Sequence, residues 1–298
     1  MKNYITLLSL GLLSGVTIAQ ENTTKLTIMP SIAWNQEKLD WNIAGDENGK
    51  NPTVLSELKW RKLRGPELGI SSIVTLSSAF EAMVSISHFY ITQGVVNDSD
   101  YASDDRTVKT ADFDFKADRG HATNARAEIY YSIRKTEKFS LAAHTGYFGR
   151  YQTLYMLDGK QPLVVDRELK STYKPRWHGI ILGLNTAYHV GQWHVWTGIS
   201  GVYFPRYSAN ANWNLQEEFN HPISFTHKAK GMGWEANLQL QRQVAKAIYP
   251  FLQVGYTGLT TRTGTDQLFK ADGTSLTTQL NDVNSSSFRI GMGARIQF

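Results

Sequence analysis

Along Phe288-Arg289-Ile290-Gly291-Met292-Gly293-Ala294-Arg295-Ile296-Gln297-Phe298 every second residue is apolar, and the residues between are Arg, Gly or Gln. A period of two sends successive side chains to opposite faces of an extended strand, so this stretch has one oily and one wet face. Soluble sheets also alternate, but a soluble domain seldom finishes on its most hydrophobic strand. A transmembrane β-barrel requires the pattern, because lipid lies outside each strand and a polar lumen inside. The run predicts the last strand of an outer-membrane barrel rather than the edge strand of a soluble sandwich.

The other end of the chain fits that destination. Met1-Lys2-Asn3-Tyr4 is a short basic head, Ile5 to Leu13 is mostly apolar, and Thr17-Ile18-Ala19 has a small-x-small cleavage pattern. This predicts a secretory signal peptide over 1–19, too short for a membrane anchor, and one barrel domain over 20–298. Loss of Lys2 takes the formal net charge from +5 to +4. Beyond residue 19 no run of eighteen apolar residues occurs, so strands and not helices must cross the membrane. Cysteine is absent, which leaves stability to strand pairing and packing. The 14 Tyr, 13 Phe and 8 Trp suit two interfacial aromatic belts. Basic residues are scattered among acids and aromatics without a stripe, which argues against nucleic acid and suits an anionic lipid surface.

Taken in order, residues 22–50 suggest two short strands before the turn signal Gly45-Asp46-Glu47-Asn48-Gly49. In the next strand Val54, Ser56, Leu58 and Trp60 alternate with Leu55, Glu57 and Lys59, placing both charges on the lumen side. Arg61 to Pro66 reads as a turn. A long run from Leu68 to Tyr90 follows in one phase, as in a barrel that stands above the membrane on the extracellular side. Residues 94–121 hold seven aspartates and form a long loop or strand extension. Ala127, Ile129, Tyr131 and Ile133 then face away from Arg126, Glu128, Ser132 and Arg134. A short turn at 135–138 leads into Phe139 to Tyr147. Loops are expected at Leu157–Glu168, Pro205–Pro222 and Thr260–Asn284, with strands between. The fold class is all-β: an antiparallel transmembrane barrel of about ten strands with short periplasmic turns and long outer loops.

Few residues suggest chemistry. Asp98 and Asp100 are two apart and share a strand face, so each should hinder ionisation of the other. Such a pair can hold an attacking water or a cationic group, or simply line a solvated acidic loop. Asp98-x-Asp100-x-x-x-Asp104-Asp105 lacks the glycine turn and terminal Glu of a calcium loop, so no metal site is expected. Glu217, Glu218 and His221 offer a relayed acid/imidazole pair if they lean over the mouth. No H-E-x-x-H, phosphate loop, G-x-S-x-G elbow or cysteine chemistry is present, and no cofactor is expected.

The chain resembles the omptins, outer-membrane endopeptidases that cut beside basic residues. The resemblance is carried by Leu55-Ser56-Glu57-Leu58-Lys59-Trp60, Asp98-Ser99-Asp100-Tyr101, Tyr173-Lys174-Pro175-Arg176-Trp177, Ile181-Leu182-Gly183-Leu184 and the terminal strand. It implies a ten-stranded barrel with its site at the outward mouth, where an Asp-x-Asp pair faces an Asp-x-His pair across a water. Asp98 and Asp100 match the first pair. Reading back from Phe225-Thr226-His227-Lys228-Ala229-Lys230, the ungapped register puts Asn214 and Gln216 in place of the second. Neither amide takes a proton near neutral pH. A gap would instead bring in Glu218 and His221. The resemblance also implies lipopolysaccharide as a required lipid ligand on the outer face, through Tyr147, Arg150, Arg176 and Lys230. The expected function is a monomeric surface barrel with a structural, adhesive or binding role, its partners being membrane lipid, basic peptides or host surface proteins. Peptide cleavage and a small pore are the alternatives.

Overall fold

The alternation becomes an up-and-down ring of strands in the computed structural model, which describes residues 25–159, 163–164 and 166–298. The signal peptide expected over 1–19 lies outside the described residues. The strands are β1 (Leu26–Ile43), β2 (Ser56–Thr75), β3 (Phe80–Ile91), β4 (Gln93–Tyr101), β5 (Lys109–Lys116), β6 (Gly120–Lys135), β7 (Phe139–Leu157), β8 (Lys170–Val190), β9 (Trp193–Asn212), β10 (Phe225–Arg242), β11 (Ile248–Thr261), β12 (Gly264–Phe269) and β13 (Ser275–Gln297). All neighbours are antiparallel, and β1 pairs with both β2 and β13, which closes the sheet. β3 and β4, β5 and β6, and β11 and β12 run end to end as single staves, so the ring has about ten staves. Closure leaves no strand edge, the condition for putting a sheet into hydrocarbon.

Several turn signals proved to be irregularities within strands. Where two short strands are expected before the Gly45 turn signal, the structure has one, β1 (Leu26–Ile43). Gly65-Pro66 lies inside β2, where a register shift between Arg61 and Arg64 and a left-handed Lys62 (φ 53°) absorb the break. Gly65 is required there, since a Cβ would lie 2.0 Å from the Tyr90 carbonyl oxygen. The run from Leu68 to Tyr90 is a hairpin, turned at Ser77, whose hydroxyl accepts the Ala79 and Phe80 amide N–H groups. Its apolar phase survives the turn because both strands keep the same face to lipid. β9 continues through Pro205 to Asn212, and the segment 260–284 pairs as β12 and the start of β13.

The polarity of the two faces inverts part-way up each stave. On β8, Ile180, Leu182 and Leu184 point outward and are 48–66% exposed, while Gly183 and Asn185 take the inward phase. Higher on the same strand the outward residues are Lys174 and Arg176, and the inward ones are Tyr173 and Trp177, both fully buried. On β1 the exposed residues run Ile32, Trp34, Gln36, Lys38, and the buried ones Asn35, Glu37, Leu39, Trp41. Lipid sets the lower pattern and water the upper one, because each exposed face matches its solvent. The inversion corrects one expectation: Glu57 and Lys59 face outward, and Leu58 and Trp60 face in. Glu57 is nonetheless buried, beneath Lys59, Tyr101 and Arg106, which all bond to its carboxylate.

The interior therefore has three levels. At membrane height Arg126 pairs with Glu235 (2.5 Å) and Arg289 lies 3.7 Å from Glu67, around a polar space of about 240 Å³. Above it Glu37 accepts from Arg150 (2.5 Å), Gln152 (2.5 Å) and Ser285 (3.2 Å). Higher still, Trp60, Trp177, Tyr173, Phe204 and Tyr207 form a dry core. Each large side chain fully buried there contributes roughly 2–3 kcal/mol.

Two outcomes follow. Leu184→Arg, on the lipid face, should cost about 2–4 kcal/mol in reversible urea unfolding from bilayers. Glu37→Gln, which leaves the buried Arg150 guanidinium without its partner, should cost about 3–5 kcal/mol in the same assay.

Candidate functional site

The inverted upper barrel shapes the mouth. β4 rises above the membrane on top of β3, pairing Asp98 with Leu58 and Asp100 with Ser56 of β2. On its other side Asp98 meets Phe113 and Asp100 meets Ala111 of β5. Both aspartates and the fully buried Val96 share one phase, so the carboxylates sit directly above the apolar core. They line a cavity of about 390 Å³ whose other walls include Trp41, Tyr101, Trp213, Gln216, Phe225 and Asp266. The Asp98 carboxyl is pushed up to about 7, first by burial and then by the neighbouring charge of Asp100. Its proton is therefore exchanged close to neutral pH and not in the ordinary carboxylate range.

Gln216 enters the cavity from the loop between β9 and β10, held by its N–H on the Trp213 carbonyl (3.0 Å) and its carbonyl on the Phe219 N–H (3.1 Å). Asn214 stays out of the cavity and ties that loop to the start of β8. Its Oδ1 accepts from the Lys170 N–H (2.9 Å) and the Ser171 hydroxyl (3.1 Å), and its Nδ2 donates to the Glu168 carbonyl (2.8 Å). Glu218 and His221 lie elsewhere on the loop. The Glu218 carbonyl accepts from the Ala271 N–H (2.9 Å), His221 Nδ1 meets Asn212 Oδ1 (2.7 Å), and Glu217 pairs with Arg167 (2.5 Å). Neither Glu218 nor His221 lines the cavity with Asp98 and Asp100.

Sequence spacing did not reveal Asp266 and His227, which the register pairs across β12 and β10. His227 is fully buried, with Nδ1 2.8 Å from the Tyr173 hydroxyl and Nε2 3.1 Å from Asp266 Oδ1. The Tyr173 hydroxyl is in turn 2.7 Å from that of Tyr207, and Thr278 donates to Asp266 Oδ2 (3.0 Å). Nε2 approaches Asp266 without hydrogen-bond geometry. His227 packs edge-on to Trp41 (4.9 Å between centroids), so Asp266 presents its carboxylate to the cavity while the imidazole stays behind it. The one signal that could have found His227 is the alternation of Phe225 and His227 with the exposed Lys228 and Lys230.

On the outer face, the register aligns Arg176 of β8 with Ser208 of β9 and Lys228 of β10, just above the apolar band. Lys230 is exposed near Met232 and Trp234, and the Tyr147 hydroxyl bonds His178 Nδ1 (2.8 Å). Arg150 does not join them. It sits on the inward phase, 4% exposed, and is spent on Glu37 and Asn124. Tyr151, one residue on, takes the outward place. Among the described residues no group of His, Asp and Glu is positioned to hold a metal ion.

The chain matches the model of the Protochlamydia outer membrane protein family over residues 31–298. It belongs to that family. No curated protein matches it in sequence. Among solved structures, the outer membrane protease OmpT from Escherichia coli superposes with a TM-score of 0.73 at 13% identity, over 95% of this chain and 99% of that one. The outer membrane protein OprG from Pseudomonas aeruginosa follows at 0.39 and 10%, covering 92% and 96%. The translocator domain of the autotransporter NalP from Neisseria meningitidis also scores 0.39, at 11%, covering 92% and 89%. The omptin resemblance thus holds for the fold and not for family membership. As a member of the Protochlamydia outer membrane protein family, the barrel resides in the bacterial outer membrane.

The Asp98 titration is directly measurable. Carboxyl carbon NMR of the refolded barrel should show Asp98 titrating near pH 7. In Asp100→Asn the midpoint should move down, because the charge that opposes ionisation is gone.

Proposed function

We propose that this barrel is a cell-surface binding protein that captures a cationic group in its outward cavity and does not cleave peptides. The observation that carries the reading is the company Asp98 and Asp100 keep. They share their cavity with the amide of Gln216 and with Asp266, while His227 lies sealed beneath. The omptin resemblance calls for an imidazole facing the two aspartates across the water, and neither the Gln216 amide nor the enclosed His227 supplies it. Three carboxylates set among Trp41, Trp213 and Phe225 instead suit an ammonium or guanidinium carried on an apolar stem, such as a Lys or Arg side chain.

The dry core beneath the cavity supports binding over conduction. Trp60, Trp177 and Phe204 occupy the lumen where a channel would have to pass. The outward Arg176, Lys228 and Lys230 sit at headgroup level and suit lipopolysaccharide phosphate, with Tyr147 beside them. That lipid contact is part of the same proposal.

The refolded protein with lipopolysaccharide should bind Arg- and Lys-containing fluorogenic peptides without releasing fluorophore. Affinity should rise between pH 6 and 8 as Asp98 ionises, and Asp98→Asn should remove that rise. Turnover that vanishes in Asp98→Ala would overturn the reading in favour of a peptidase. Absence of binding at pH 8 would overturn it altogether.

A further inference from the structure

The periplasmic end of the lumen carries a second cluster, unrelated to the mouth. His189 of β8, His194 and Trp196 of β9, Tyr249 of β11 and Arg295 of β13 all take the inward phase near the short turns. The register sets His189 against His194 and Tyr249 against Arg295. The Arg295 guanidinium lies over two aromatic rings, 5.8 Å from that of Trp196 and 5.7 Å from that of Tyr249. The His194 ring meets Tyr249 edge-on at 5.4 Å. One small constellation therefore holds a cation, two imidazoles and an indole.

Its polar atoms are not satisfied. Arg295 Nε, Trp196 Nε1 and His194 Nε2 are each buried without a hydrogen-bond partner. His189 and His194 share a proton between their Nδ1 atoms, so only one of the two can be the donor there. Where His189 donates, His194 carries its own proton on Nε2 and presents it as a third N–H. Among the described residues no carboxylate forms an ion pair with Arg295, and Glu81, three strands round the ring, is the acid whose charge it feels. Gln241 Oε1, on the intervening β10, is the one unpartnered acceptor at this level among the described residues.

An isolated buried cation is costly, and buried donors left open are costly too. One water accepts at most two hydrogen bonds and carries no charge, so it answers neither need in full. We infer that Arg295, Trp196 and His194 form a binding site for a small anion, chloride or a phosphate-sized oxyanion, that enters from the periplasm. Cation–π contact with the Trp196 and Tyr249 rings keeps the guanidinium in place and leaves its N–H edge for the ligand. The site draws on none of the residues of the outward cavity, so it stands or falls independently of the function proposed above.

The test uses the full barrel, 15N-labelled and refolded in micelles, with ionic strength held by a bulky sulfonate buffer. Sodium phosphate and sodium chloride are titrated separately while the Trp196 indole N–H and the Arg295 Nε–H resonances are followed. The expected result is a saturable shift of both resonances with one shared midpoint, for at least one of the two anions. Arg295→Gln should weaken the response at Trp196 by about tenfold or more, corresponding to about 1.4 kcal/mol. Should that variant not fold, Trp196→Phe keeps the charge and leaves Arg295 as the reporter, with weaker saturable binding expected. Shifts that stay linear for both anions, or that are unchanged in the variant that folds, would overturn the site and leave it hydrated only.

Discussion

A peptide group in hydrocarbon has no water to bond, so every backbone N–H and C=O at membrane depth must find its partner in the protein. In a sheet that condition is met only when the last strand returns to the first. Here β1 carries both duties, pairing with β2 along one edge and β13 along the other. Once the ring is closed, the period of two has only one use: one phase meets lipid and the other meets the interior. The exposed Ile290 and Met292 of β13 and the inward Arg289 that reaches toward Glu67 are the result.

The same closed backbone passes through two solvents, and the side chains exchange roles where it does so. Within the membrane the interior is polar and ion-paired. Above it the outside is polar and the interior is an aromatic core like that of a soluble protein. Glu37, Arg150 and Gln152 sit at the join, where the buried Glu37 carboxylate accepts from Arg150, Gln152 and Ser285. This arrangement places Asp98 and Asp100 on a dry floor, and that floor raises the pKa of Asp98. Without the inversion the two aspartates would be ordinary acids on a wet rim.

The likeness to OmpT is one of fold, a superposable ring of strands at 13% identity. Asp98 and Asp100 occupy the inward phase of β4, above the buried Val96. The residues that meet them are Gln216, from a loop, and Asp266, from a short strand that extends the β11 stave. Asn214 has gone to loop anchoring, and His227 has been taken into the core by Tyr173 and Asp266. A barrel fixes where a wall is, while its loops decide which side chains come over the top.

The sequence by itself determined the barrel, its lipid-facing phase and the shared face of Asp98 and Asp100. These depend only on spacing within one strand, and a period of two holds on either side of a bulge even where the bulge shifts its phase by one residue. It misled at Glu57 and Lys59, because alternation shows that two faces differ without saying which solvent each one meets at a given height; Arg150, carried over from the omptin resemblance, lies on the inward phase of β7. The meeting of Asp266 with His227, of Gln216 with Asp98, and of Arg295 with Trp196 was decided by tertiary structure alone. Those residues lie on different staves, and only the stagger of a closed ring and the path of its loops bring them to one level.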